Sequence, residues 1–467
     1  MSDETKAPIE NGAVPALEAP PVSYRWLALF CVSLPMFANY YIYDSINPLT
    51  DIFEKQLGFT DEHIGWLNSS YSVAAVLTLL IGGLIIDRLG TRPSIVLFSV
   101  ICLAGAVVTE LGGSLTVMLL GRFVLGLGAE SLIVAITTAI AKWFKRGDLG
   151  FAYGVNLTIA RLASVAADKS PGWAKFAFYP DGTPPEPSWR GPILEGLEVE
   201  PSWRGPLLVA VGAGIIGIVG AAVYWWLERG AQRRYALGKA GQVDKLELSQ
   251  LFRFDRSYWF IVGLCFAFYS GIFPFRTFAI KFFMHTHFAD LPEDAAREVA
   301  GNFNGNLPLA AMIATPLFGL LVDKVGRRAL FMMVGSLVLT PVYLLMAYSD
   351  MTLWVPMTLM GISFSLIPAV MWPSVAYTVD EKRLGSAYAL MTLIQQIGMI
   401  ALNWLIGVVN DAMGAGAQNP QGYALGMWIF SGLGFIGLFF AIKLWQVDRG
   451  LGARGLSADA NRAAEDR

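Results

Sequence analysis

The sequence predicts an all-α membrane protein with 12 transmembrane helices, arranged as two parallel six-helix repeats, and three observations carry that prediction. Of the 467 residues, 55% are hydrophobic and only 15% charged, and the mean hydropathy is +0.52, far from the balance of a soluble domain. Apolar runs of roughly 20 residues, each long enough to cross about 30 Å of hydrocarbon as a helix, recur along nearly the whole chain. Finally, "GLIIDRLGTR" at 83–92 and "GLLVDKVGRR" at 319–328 repeat the pattern G-x-x-x-D-[RK]-x-G-x-R at corresponding places in two halves. A helix satisfies its own backbone groups in lipid, so a polytopic helical bundle follows.

The elements follow in order. Residues 1–23 open with a polar, Pro/Ala-rich stretch and read as a cytoplasmic tail, not a signal peptide. Six spans beginning near Tyr24, Glu62, Ser94, Leu115, Gly147 and Gly205 form an N-terminal bundle over 24–227. A polar, basic stretch at 228–256 reads as a cytoplasmic linker. Six more spans, beginning near Ser257, Phe303, Ala329, Met351, Leu384 and Tyr423, form the C-terminal bundle over 257–446, and 447–467 is a second tail. The large majority of the 34 Lys and Arg fall in the tails and in alternate loops on one side, which places both termini in the cytoplasm. The loop before the sixth span carries PSWRGP twice, at 187–192 and 201–206. A local duplication is the preferred reading, with a partner-binding role as the other.

Several function classes drop out. The net charge is −2, and no basic stripe, zinc-type cysteine spacing or GxxxxGK[ST] loop is present, so neither a nucleic-acid partner nor a nucleotide or other cofactor is expected. Cys31, Cys102 and Cys265 fall in apolar spans, which excludes a disulfide framework in the loops. The three histidines, His63, His285 and His287, form no placed triad or metal set, so no metal and no enzyme is expected.

The charges inside spans carry the functional question. Glu130 lies near the midpoint of the fourth span, where a carboxylate is costly unless paired or used. Arg161 lies on the fifth, about four residues outward of the middle, or roughly 6 Å at the helical rise. An ion pair tethering two helices and a site for a ligand carrying both charges are equally open from these residues. Arg122 suits helix packing or coupling, Arg276 a snorkelling position near an outer helix end, and Asp44 is ambiguous. Tyr40, Tyr43, Tyr269 and Trp372 lie on spans suited to line a cavity, although packing explains each of them as well.

In the repeated loops, Asp87, Arg88 and Arg92, and Asp323, Lys324, Arg327 and Arg328, are placed to form contacts that close the cytoplasmic side and break when it opens. A positive-inside loop with one capping acid is the alternative, and two copies in register favour the gate. "TVDEKRLGSAY" places Asp380 and Glu381 at a helix start beside the second basic motif.

"GRFVLGLGAESL", "WFKRGDLGFAYGVNLTIARLAS", "GIFPF", "GLLVDKVG", "MWPSVAYTV" and "RLGSAYALMTLIQQIG" occur in order over roughly residues 40–410. Together they resemble the lysosomal dipeptide transporter branch of the major facilitator superfamily. The resemblance implies a dipeptide, or another small zwitterion, moved by alternating access without a cofactor and without obligatory proton coupling. It places the peptide amine at Glu130 and the carboxylate at Arg161. Tyr43, Tyr269, Trp372 and Gln395, on the cavity helices, are expected to complete the substrate set. A dipeptide spans at most about 7 Å between its ends, comparable with the stagger of the two charges.

Animal members of that branch carry an N-terminal dileucine signal and a glycosylated accessory subunit. This tail has no dileucine, and the two N-x-[ST] sequences, at Asn68 and Asn156, fall inside spans. A plasma or bacterial inner membrane is therefore expected ahead of a lysosomal one, without the accessory glycoprotein. A proton-coupled porter of another organic solute, in which Glu130 protonates and releases Arg161, is the competing reading. A non-transporting sensor on the same fold is a third.

Overall fold

A computed structural model describes residues 20–144, 146–180, 182, 200–235, 237, 254–349, 351–380, 383–451 and 456. Most of both tails, most of the linker, the first PSWRGP copy and Glu381 lie outside the described residues, as does the side chain of Asp323.

The first half comprises α1 (Val22–Asp44), α2 (Asp61–Leu89), α3 (Thr91–Leu111), α4 (Leu115–Trp143), α5 (Arg146–Asp168) and α6 (Arg204–Arg234). The second comprises α7 (Arg256–Thr286), α8 (Glu293–Val325), α9 (Arg328–Leu339, resuming as Val342–Tyr348), α10 (Trp354–Thr378), α11 (Leu384–Ala412) and α12 (Ala424–Leu451). Among the described residues, 11 helical spans are long and apolar enough to cross a membrane, and counting α2, bent by 55°, as one span gives the 12 expected. An even count puts both termini on one face, called here the terminal face.

Local chemistry sets the ends. The Thr60 hydroxyl accepts from the His63 amide while His63 Nδ1 accepts from the Thr60 amide, so a reciprocal cap starts α2. The repeated motif turns on its second glycine in both halves: Gly90 (φ +82) and Gly326 (φ +74) take backbone conformations that a Cβ disfavours. The break in α9 falls at Pro341, which lacks an amide hydrogen.

Two boundaries differ from the sequence reading. Helix α8 begins at Glu293, about three turns before Phe303, because Arg297 near its start is buried against Asp51 of the other half. The stretch read as linker from 228 begins as helix, since α6 continues to Arg234, with Glu228 0% exposed and paired with Lys142 of α4 at 3.3 Å.

Each half packs around its own core, but the cores are unequal. One runs from Ala28 to Ala231 inside the first half, while the other joins the second half to Ile46, Phe53, Phe59, Leu67 and Phe178 of the first. The halves therefore fuse at the face opposite the termini, where α2 packs on α11 and α5 on α8. Phe151, Trp226 and Leu320 stand exposed on the outside of the bundle, the pattern of side chains facing lipid.

Candidate functional site

The central residues come from both halves. Glu130 of α4 accepts a hydrogen bond from Gln396 Nε2 of α11 at 2.9 Å. Arg161 of α5 stacks its guanidinium on the Phe364 ring of α10, 4.8 Å from the centroid, and its Nη1 is buried without a hydrogen-bond partner. Among the described residues no ion pair joins Glu130 to Arg161. Each charge instead meets a neutral group across the interface, an amide for the carboxylate and a ring face for the cation. Tyr40 lies within electrostatic reach of both charges.

The second half supplies an aromatic wall. Trp372 Nε1 donates to Tyr269 Oη at 2.9 Å, the Tyr388 hydroxyl donates to the Trp372 carbonyl at 3.1 Å, and the two rings of Trp372 and Tyr388 stack at 6.0 Å. Tyr269 stacks on Phe273, which meets Phe364 edge-on at 6.2 Å. The wall thus runs from Trp372 to the ring under Arg161. Tyr43 is engaged differently: its carbonyl and its ring both hold Arg122, with the guanidinium 5.2 Å from the ring centroid. Gln395 touches Cys265 and Met399 at 3.8 and 3.9 Å, and its neighbour Gln396 reaches Glu130. One residue is 100° of helix turn, which a sequence motif alone does not resolve.

Above this layer, toward the face opposite the termini, an ionic network that the sequence reading missed joins the halves. Arg276 does not snorkel: it is 2% exposed and pairs with Asp44 at 3.3 Å and Asp168 at 2.7 Å, while Asn47 donates to both carboxylates. Asp44 is correspondingly paired. Lys281 meets Asp61 at 2.7 Å, and Arg297 meets Asp51 at 2.5 Å. A further chain runs from Arg122 through Asn68 to Thr277 and Asn403, at 2.7, 2.9 and 3.2 Å. Apolar runs conceal such groups, since the partner of each charge lies in the other half of the chain; the only sequence signal is that intramembrane charges need partners. Asn68 and Asn156 are both buried.

The loop residues are spread along the terminal face. Asp87 and Arg88 are exposed, Arg92 lines a cavity of about 270 Å³ with Lys142 and Arg229, Lys324 is exposed, and Arg328 lies 4.3 Å from the Tyr377 ring centroid. The interdomain hydrogen bonds of Glu130, Arg276, Lys281 and Arg297 join the halves at the midplane or toward the opposite face. No group of His, Cys, Asp and Glu suited to a metal occurs among the described residues.

Two six-helix membrane halves, bonded at one face and presenting charges of both signs at their shared midplane, define a transporter and not an enzyme. The chain belongs to the Major Facilitator Superfamily, whose family model matches residues 29–170 and 297–463. It is 30% identical over 398 residues to the lysosomal dipeptide transporter MFSD1 of Danio rerio, covering 84% of this chain and 82% of the relative. The Bos taurus transporter of the same name is 30% identical over 421 residues, covering 88% and 85%. Two solved structures share the fold. The nucleoside transporter NupG has a TM-score of 0.66 at 13% identity, over 90% of this chain and 99% of its own. A bacterial homologue of the human lysosomal transporter Spinster, inward-facing and unoccupied, has a TM-score of 0.65 at 18% identity, over 96% and 99%.

Proposed function

We propose that the protein is a dipeptide uniporter that works by alternating access, with the peptide amine at Glu130 and the carboxylate at Arg161. One observation carries the reading: two opposite charges on adjacent helices of one half stay unpaired with each other and meet only an amide and a ring face of the other half. A free dipeptide replaces both weak contacts with charge-assisted ones and brings its side chains against the wall of Tyr269, Trp372 and Tyr388. The relatives named as dipeptide transporters support the substrate class. Tyr43 acts at the edge of this site by holding Arg122, and Gln395 lines it from α11.

Both termini are cytoplasmic on the basis of loop charge, so the bonded face is the outer one and the conformation faces inward. Outward opening breaks the Arg276, Lys281 and Arg297 pairs, while Asp87, Arg88, Arg92, Asp323, Lys324 and Arg328 close the inner side. The expected location is a plasma or bacterial inner membrane, ahead of a lysosomal one, without an accessory glycoprotein.

Thermal stabilisation by free dipeptides, amino acids and end-blocked dipeptides tests the clamp in the wild type and in folded Glu130→Gln and Arg161→Gln variants. A ligand stabilises only the state it binds. The expected result is a shift that needs both free termini and is lost in each variant. Equal shifts with blocked peptides would show that the two charges do not receive the two ends.

A further inference from the structure

We infer that Gln396 is a positioning residue that stands in for the substrate amine at Glu130 in the empty carrier and so lets the unloaded protein reorient. This rests on the reading of Glu130 as the amine site. A uniporter must return empty, and the returning protein then carries a midplane carboxylate with no ammonium beside it. Such a group is costly in the membrane unless a donor meets it. Gln396 is placed to be that donor, with its Nε2 2.9 Å from Glu130 Oε1.

Three features separate this contact from ordinary packing. It crosses from α4 to α11, so it links the two halves whose relative movement is the transport step. Gln396 is 2% exposed, yet its Oε1 is buried without a hydrogen-bond partner, so the amide serves Glu130 while its own acceptor stays unmet. Moreover, the carboxylate is satisfied without recruiting Arg161, which keeps its guanidinium for a substrate carboxylate and a buried Nη1 unpartnered.

A primary amide carries its donors on nitrogen, and its last torsion turns freely compared with the others, so the nitrogen can leave Glu130 when an ammonium takes its place. Methionine at 396 keeps the length and loses the donor, while asparagine keeps the amide but is one methylene short of Glu130.

The test reconstitutes the full-length wild type, Gln396→Met and Gln396→Asn in liposomes and follows radiolabelled alanyl-alanine in two modes. Net flux down a gradient requires the empty return, whereas exchange against internal unlabelled alanyl-alanine does not. Both variants are expected to lose net flux by about ten- to a hundredfold, the range for a lost hydrogen bond to a charged group, with exchange retained. If net flux and exchange fall together, or if neither changes, the inference is overturned. Should Gln396→Met fail to fold, the same split in Gln396→Asn decides the matter. Absence of both flux and thermal shift in the wild type would instead remove alanyl-alanine as a substrate and defeat the clamp itself, an outcome distinguishable because it needs no variant.

Discussion

At the scale of residues, the charges proposed to bind differ from the charges that hold. Arg276 belongs to the second kind: one guanidinium compensates Asp44 and Asp168, and all three are buried. Removing it strands two carboxylates, and breaking a buried pair in this way costs about 3–5 kcal/mol. Arg276→Met should therefore lower the melting temperature markedly. The triple variant Arg276→Met, Asp44→Asn, Asp168→Asn should recover most of the loss, because apolar or neutral replacement of a whole buried network is often tolerated. No recovery in the triple variant would mean that packing around α7 matters more than charge. Glu130 and Arg161 are the charges proposed to bind, and their Gln variants should keep the fold while weakening dipeptide binding about ten- to a hundredfold in titrations of thermal shift, the range for a lost charged hydrogen bond. Of these residues, Glu130 and Arg161 were legible in the sequence as charges isolated in apolar runs. The role of Gln396 was not, because neighbouring glutamines are chemically identical and only the rotation of α11 separates them.

At the scale of elements, closure of the face opposite the termini depends on how near α5 and α8 can come. A Cβ built on Gly301 of α8 would lie 2.4 Å from the Asp168 carbonyl oxygen, far inside any tolerated contact. Gly301→Val should hold that face apart and shift the population toward the state closed on the terminal face. Spin-label distances across the outer ends of α5 and α8 would lengthen; an unchanged distance would show that the helices can slide to accommodate the side chain. The early start of α8 has the same cause as this closeness. Its first two turns carry Glu293, Asp294 and Arg297, which look like loop in a sequence, yet Arg297 is held by Asp51 and by the hydroxyl of Tyr179 at 3.1 Å. Helix boundaries set by hydropathy were otherwise close, since water and lipid decide those ends.

At the scale of the whole molecule, two repeats are proposed to move about a midplane that holds the substrate. With both termini on one face and the basic loops beside them, a reporter enzyme active only in the cytoplasm should be active when fused to the C-terminus, and one active only outside should be silent. The opposite result would reverse every inner and outer assignment made for the gates. Uniport further predicts that net dipeptide flux follows the dipeptide gradient and is not driven by a pH gradient alone. Accumulation driven by protons would favour the competing porter, with Glu130 as its carrier of charge.

The sequence by itself determined the class, the number of spans, the two-fold repeat and the two midplane charges. Each of these depends on local composition or on comparison of one segment with another, and the bilayer enforces both through length and backbone satisfaction. Only the tertiary structure decided which charges meet. Arg276 with Asp44 and Asp168, Lys281 with Asp61, Arg297 with Asp51 and Glu130 with Gln396 are pairs between distant segments. Their meeting depends on the rotation of each helix about its axis and on the face at which the halves close, and neither is fixed until all twelve helices pack.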